Sequence, residues 1–304
     1  MRILFFGDGA GGMASLDALA RQNAIVGVVA HPAREGEPAG DGSLFDQASG
    51  AGLPVARFRG QDAGLLRFAR DLRPDLLWIA HYGYLLPPPL LDLAPLGAVN
   101  LHPSLLPSYR GRSSVRWALL HGERETGLTA HAVDGGVDSG DVLLQRRIEI
   151  GACDDAGDVL RKLIPLYGEV SRELARSLRQ GNARRSPQAP GNWPIWPLFR
   201  REDARIDWSS DSESVANQVR ASARPYDGAC TWLAGTPMTI WSARAGLPRG
   251  PGSIGSIWRA EGPRFFVNCG EGSLEVLDFE FADDFGRTRP PRVGDRLEPL
   301  ERAA

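Results

Sequence analysis

Lysine is all but absent from this chain: Lys162 is the sole lysine among 35 basic residues, and the rest are arginine. We read this as compositional bias without mechanistic content. Cysteine is scarce as well. Cys153, Cys230 and Cys269 are far apart and lack C-x-x-C spacing, which excludes a disulfide framework and a cysteine-based zinc site. An excess of one charge is missing too, with 35 basic against 37 acidic residues and a net charge of −2. No global field therefore draws the chain to nucleic acid or to an anionic membrane. Long apolar runs are lacking. The opening Met1-Arg-Ile-Leu-Phe-Phe6 is cut off by Gly7-Asp8, short of the ~7–15 apolar residues of a signal peptide. Nothing approaches the ~18 apolar residues of a membrane span, so the cytoplasm is the expected location. None of the five histidines has the metal spacing H-E-x-x-H, and no metal is expected.

What is present suffices for a sizeable core. With 304 residues and 42% hydrophobic content, the chain has the length of one large domain plus a smaller one. Its first turn, Gly7-Asp-Gly-Ala-Gly-Gly12, has the spacing G-x-G-x-x-G directly after an apolar run. A dinucleotide site also needs an acidic residue about 20 positions on, closing the next strand, to hold a ribose hydroxyl. That strand, Ile25-Val-Gly-Val-Val-Ala30, ends in His31-Pro32, so a dinucleotide is not indicated.

From the start to Ile150, short apolar runs alternate with helix-like stretches, the pattern of a mostly parallel sheet covered on both faces. Strands are expected at 2–6, 25–30, 75–80, 97–102, 127–133 and 142–150. Leu65, Phe68, Ala69 and Leu72 recur at i, i+3, i+4, i+7 and give a helix one apolar face. A longer helix is expected from Asp154 to Gly181, kinked at Pro165. The stretch Ser186-Pro-Gln-Ala-Pro-Gly-Asn-Trp-Pro-Ile-Trp-Pro197 sustains neither helix nor central strand and reads as a linker. Beyond it come a helix at 212–224 and strand-like runs at 236–241, 264–268 and 273–277, separated by glycine turns, which suggests a small β-barrel. The expected domains are residues 1–185, a linker over 186–203, and a barrel over 204–304. Trp193, Trp196, Trp208, Trp232 and Trp241 are expected to pack rather than to offer a stacking surface.

The most informative stretch is Asn100-Leu-His-Pro-Ser-Leu-Leu-Pro-Ser-Tyr-Arg-Gly-Arg112. Residues two apart on a strand share a face, so Asn100 and His102 point together. Pro103 then ends the strand, placing an amide and an imidazole at the carboxyl edge of a parallel sheet, where open α/β folds bind ligands. The second is Asp134-Gly-Gly-Val-Asp-Ser-Gly-Asp141, a glycine-rich acidic loop between two apolar strands.

Together these stretches resemble the 10-formyltetrahydrofolate-dependent formyltransferase family, which includes glycinamide ribonucleotide transformylase, methionyl-tRNA formyltransferase and the sugar N-formyltransferases. The resemblance covers the whole first domain, and the part beginning Ala204-Arg-Ile-Asp-Trp208 is similar to the carboxyl domain of the tRNA and sugar branches. It implies a Rossmann-like domain followed by an OB-like barrel, a catalytic trio of Asn100, His102 and Asp138, and 10-formyltetrahydrofolate as co-substrate. It further implies that the backbone of Tyr84, Leu85 and Leu86 faces one edge of the pteridine. The loop containing Val133, Asp134, Gly135 and Val137 then closes on the other. For the acceptor, the resemblance points to the first turn, with Gly9, and Ser104 lies in the matching motif; Arg110 and Arg112 read either as a clamp for an anionic acceptor or as part of a solvated loop. A homodimer is a further expectation.

The trio has a physical logic of its own. When an amine attacks a formyl carbon, the adduct's oxygen gains negative charge and its nitrogen must lose a proton. The Asn100 amide and a protonated His102 are expected to donate to that oxygen, contacts worth about 3–4 kcal/mol each. Asp138 is expected to hold His102 charged. Each acid–base step contributes about 10²–10⁴-fold, and whether His102 or Asp138 takes the amine proton is open. His31, His81, His121 and His131 lack such company, and His81 reads as a lid or spacer beside the folate loop.

Charge bears on the acceptor. The segment from His31 to Gly42 has one arginine against three acids, and residues 205–304 hold 12 arginines against 14 acids. Phosphate neutralisation supplies most nucleic-acid affinity, so this balance argues against tRNA as a partner. A small primary amine leads, foremost an amino sugar carried on a nucleotide. The alternatives are methionyl-tRNA, an amino-acid or carrier-bound aminoacyl amine, and a folate-binding module without catalysis.

Overall fold

Strands covered on both faces need apolar side chains on both, and the central strands here supply them. Ile3, Leu4, Phe5 and Phe6 are wholly buried, as are Leu76, Leu77 and Trp78. Each such side chain contributes roughly 1.5–3 kcal/mol on leaving water. The computed structural model describes residues 1–32, 43–60, 62–281 and 290–298. The charge reading made above on His31 to Gly42 thus falls outside the described residues from position 33 onward, as does part of that made on 205–304.

The chain begins with β1 (Arg2–Gly7), α1 (Gly9–Ala20), β2 (Ala24–Ala30), α2 (Leu44–Gly50), β3 (Val55–Arg57), α3 (Ala63–Leu72), β4 (Leu76–Ala80) and α4 (Pro88–Leu91). Next come β5 (Ala98–His102), β6 (Arg110–Gly111), α5 (Ser114–Leu120), β7 (Glu125–Ala132), β8 (Val142–Glu149) and α6 (Ala156–Arg179). The remainder holds β9 (Ile195–Trp196), α7 (Ser212–Ser222), β10 (Ala229–Leu233), β11 (Thr236–Leu247), β12 (Ile257–Glu261), β13 (Arg264–Asn268), β14 (Ser273–Phe281) and β15 (Leu297–Glu298). Sequence periodicity missed β3, a half-buried edge strand of three residues, and the short strands β10, β12 and β15. The long helix α6 is continuous through Pro165.

The structure divides into two compact units. The first comprises Met1–Gly111, Thr126–Ile148 and Arg161–Ile195. Its sheet has the order β3-β2-β1-β4-β5-β7-β8, parallel from β3 to β5 and antiparallel between β5 and β7. The chain steps outward from β1 to β3 and then returns past β1 to β4. The carboxyl ends of β1 and β4 therefore flank a topological switch point, the place where such sheets take ligands. On one face Trp78 Nε1 donates to Ser15 Oγ of α1 at 3.1 Å, and Ser15 and Ser171 of α6 share a hydroxyl hydrogen bond of 2.7 Å. On the opposite face Leu4, Phe6, Leu77 and Ile79 pack with Leu65 and Ala69 of α3, Leu90 of α4, and Tyr82.

The second unit comprises Arg112–Glu125, Glu149–Leu160 and Trp196–Ala304. Its six-stranded antiparallel sheet runs β12-β13-β14-β11-β10-β15. Its two edges meet: Ile257 N–H donates to Asp295 O and Leu297 N–H to Gly255 O, both at 2.8 Å, so the sheet curls into a small barrel. Trp208, Ile240, Phe265 and Val276 fill it. Among the tryptophans expected to pack, Trp208 is buried, while Trp193, Trp196, Trp232 and Trp241 are half-buried. Helix α7 starts at Asp211, whose carboxylate accepts from Ser214 N–H at 2.8 Å.

Candidate active site

The alternation of β5 places Asn100 and His102 on one side and buries Leu101 on the other. Antiparallel pairing with β7 sets His131 opposite Asn100 and Thr129 opposite His102. Past β7 the chain turns back, and Asp138, held at φ 49°, brings its carboxylate between these side chains. Its Oδ2 lies 3.4 Å from His102 Nδ1 and accepts a 2.9 Å hydrogen bond from Gly111 N–H. Its Oδ1 accepts from Asn100 Nδ2 at 3.2 Å and lies 3.4 Å from His131 Nε2. The structure thus brings together the three residues of the expected trio and adds a fourth, His131.

Hydrogen-bond chemistry fixes the tautomers. His102 Nε2 is 2.8 Å from Tyr109 O, and His131 Nδ1 is 2.8 Å from Ala132 O. A carbonyl only accepts, so those nitrogens carry the protons. His131 Nε2 then presents a lone pair to Asn100 Nδ2 at 3.1 Å. With His131 and Asp138 both accepting from it, the Asn100 NH₂ group is spent inside the network, and its carbonyl oxygen is what remains for a substrate. This differs from the expected oxyanion donor.

The electrostatics also depart from expectation. Burial pushes the His102 imidazole below its ordinary pKa, against the opposing pull of Asp138 and the Tyr109 carbonyl. The ring is therefore neutral near pH 7, with its Nδ1 lone pair directed at the carboxylate. Burial alone would raise the Asp138 pKa. The polar groups around it, the Gly111 amide among them, outweigh burial and hold the carboxyl well below the usual range.

Residues flanking the network brace it. Gln188 Nε2 donates to Asp138 O and Gly140 O, both at 2.8 Å, and Gln188 Oε1 accepts from Arg110 Nε and Nη2 at 3.1 and 2.7 Å. Arg110, expected to face the acceptor, is instead tied to the loop carrying Asp138, and Gln188, in the segment read as a linker, is part of the site's frame. Ser104 is buried, and its hydroxyl donates to Ser108 O at 2.7 Å, so it shapes its own turn. Arg112 opens the second unit, where its side chain is exposed. Gly9 is exposed at φ 60°, with open space around it.

The segment after β4 suits a flat heterocycle. Among the described residues, the main-chain groups of Tyr84, Leu85 and Leu86 make no hydrogen bond, and neither do the amides of Gly135 and Val137. Leu85 is 70% exposed, while Leu86 and Val133 pack on the α3/α4 face. Asp134 Oδ1 accepts from Gly136 N–H and Ser139 Oγ, which fixes the turn ahead of Asp138. His31, which looks solitary in sequence, accepts a 2.8 Å hydrogen bond from Gly83 N–H and packs against Tyr82 and Tyr84. The sequence signal for His131 was a polar residue two positions from Thr129 on a buried strand. For Gln188 there was none. Among the described residues, no group of three or more His, Cys, Asp or Glu side chains is placed to hold a metal, and no helix is long and apolar enough to cross a membrane.

Comparison with known proteins agrees with this geometry. Residues 1–168 match the family model described as formyl transferase, and residues 199–284 match that of the formyl transferase C-terminal domain. A methionyl-tRNA formyltransferase of Anaeromyxobacter dehalogenans is 38% identical over 287 residues, covering 91% of each chain. An N-formyltransferase from Helicobacter canadensis, solved with folinic acid and dTDP-3-aminofucose, superposes with a TM-score of 0.72 at 17% identity over 91% of this chain and 99% of its own. HypX from Aquifex aeolicus superposes with a TM-score of 0.65 at 18% identity; the match covers 93% of this chain and 45% of HypX. With matched models over both units and its formyl-transfer motifs gathered on one sheet edge, the chain belongs to the formyl transferase family, enzymes that use a folate-derived formyl donor.

Proposed function

We propose that the chain transfers the formyl group of 10-formyltetrahydrofolate to the α-amine of methionyl-tRNA, with Asn100, His102 and Asp138 as its catalytic residues. The observation that carries the chemistry is the Asp138 carboxylate lying 3.4 Å from a buried His102. The acceptor rests on a relative named as a methionyl-tRNA formyltransferase and 38% identical across 91% of the chain. That relative lends no support to the reading, made from charge, that tRNA is not a partner.

In this reading, neutral His102 takes the amine proton at Nδ1, turning its contact with Asp138 into an ion pair, and passes it to the folate nitrogen as the bond from that nitrogen to the formyl carbon breaks. The Gly111 amide and Gln188 keep Asp138 in place for that step. The Asn100 carbonyl accepts the second amine N–H and aims the nitrogen's lone pair. The free main chain of Tyr84–Leu86 on one side, with the loop of Val133, Asp134, Gly135 and Val137 on the other, holds the folate ring. The domain boundaries 1–185, 186–203 and 204–304 are part of the same proposal.

A second reading, a nucleotide-linked amino sugar as acceptor, is favoured by the charge of residues 205–304, with 12 arginines against 14 acids. Tetrahydrofolate release, followed spectroscopically, separates the two. Methionyl-tRNA is expected to support turnover. Turnover with amino-sugar nucleotides and none with methionyl-tRNA would overturn the first reading.

A further inference from the structure

His81 ends β4 at the switch point and is held at φ 61°, a left-handed conformation that side chains other than glycine adopt at a cost. The fold does not repay it. The residue is exposed, and among the described residues its imidazole makes no hydrogen bond. Its ring packs at a tilt against Tyr167 of α6, centroids 4.9 Å apart, and lies so close to α1 that a Cβ on Gly11 would fall 2.8 Å from its Nε2 and Cδ2. Such packing aims the imidazole without satisfying it.

The direction of aim is informative. Leu86 and Val133, on the proposed folate side, pack on the α3/α4 face, whereas His81 sits on the α1/α6 face. Its neighbour Ala80 pairs with Gly7 of β1 on one side and Leu101 of β5 on the other. Residue 81 therefore lies between the first turn and the reacting histidine, on the side of the sheet opposite the donor's walls.

We propose that His81 determines acceptor specificity by accepting a hydrogen bond from a hydroxyl adjoining the reacting amine. The inference rests on the formyl-transfer reading. Protein atoms packed along one side of the ring lower its pKa, with Asp8 opposing, so near pH 7 it is neutral and offers a lone pair. The carboxylate of Asp8 beside it likewise accepts and does not donate. This corner selects donor groups. An amino sugar carries a hydroxyl vicinal to its amine, and the terminal ribose of an aminoacyl-tRNA carries one vicinal to the ester that bears the amino acid, so both acceptors can supply a hydroxyl near the reacting nitrogen.

The test compares wild type with His81→Gly and His81→Gln. Glycine adopts the left-handed backbone freely, so His81→Gly is expected to leave Tm unchanged or raise it while raising the acceptor KM about tenfold, the scale of one hydrogen bond. The KM for 10-formyltetrahydrofolate is expected to stay within about twofold, and His81→Gln to recover part of the loss. Acceptors lacking the hydroxyl, a 2′-deoxy-ended methionyl-tRNA in one arm and a deoxy amino-sugar nucleotide in the other, are expected to show no His81→Gly penalty. The arm in which the penalty disappears identifies the hydroxyl's source. An unchanged acceptor KM in an active protein would overturn this inference alone, as would a rise confined to the folate KM or a lower Tm for the glycine variant. A wild-type chain that turns over neither acceptor would overturn the transfer reading and this inference with it.

Discussion

Each unit contains a buried polar network centred on an asparagine, and the two are built on opposite principles. In the second unit, Asn268 is wholly buried and satisfied: Oδ1 accepts from Gly250 N–H at 2.9 Å and Ser273 Oγ at 3.1 Å, and Nδ2 donates to Gly250 O and Pro251 O at 3.1 Å. Nothing in it titrates, and it pins a loop to the barrel. In the first unit, Asn100, His102, His131 and Asp138 close around a carboxylate, with Asp138 and Tyr109 both in left-handed backbone and a lone pair directed at a charge. A network that satisfies itself with neutral groups is architecture. One that retains a charge, a strained backbone and an unspent atom is poised to react.

Substitutions should break the two networks differently. The largest effect is expected from Asp138→Ala and His102→Ala: turnover falls by about 10²–10⁴-fold while folate binding, read by fluorescence titration, persists. Turnover within tenfold of wild type would mean the first network is architecture too. Next is Asn268→Ala, which strands several buried partners and should cost about 2–4 kcal/mol in denaturant unfolding with kcat unchanged in the folded protein. A fall in kcat without loss of stability would reverse the comparison.

A smaller effect is expected from Gln188→Ala, which frees the Asp138 loop. Its kcat should drop about tenfold with the acceptor KM nearly constant, as expected for a positioning residue. The smallest effect is a displaced pH profile. Burial lowers the His102 pKa, so this base remains unprotonated to lower pH, and the acid limb of kcat/KM should fall below the ordinary histidine value of about 6.5. A limb above pH 7 would show that the resident state is imidazolium.

Much of the first unit was legible because its signals are local. Strand alternation in Asn100-Leu-His102 fixes which side chains share a face whatever the strand pairs with, and the apolar runs of β1, β2 and β4 admit no reading but burial. The same locality misled in the linker. Proline and glycine excluded a helix or a central strand at 186–197 but said nothing of Gln188 turning back onto Asp138, 50 residues away. Arg110 looked like an anion clamp because its partner was not its neighbour in sequence.

By itself the sequence determined the elements, the face carrying Asn100 and His102, and the acidic glycine loop after β7, since backbone stereochemistry and side-chain period act over a few residues. Only tertiary structure decided that His131 faces Asn100, that His102 is neutral and spent on Tyr109, and that His81 stands open at the switch point. Register, burial and loop return are set by the packing of distant segments, and a pKa or an unmet hydrogen bond exists only once those segments have met.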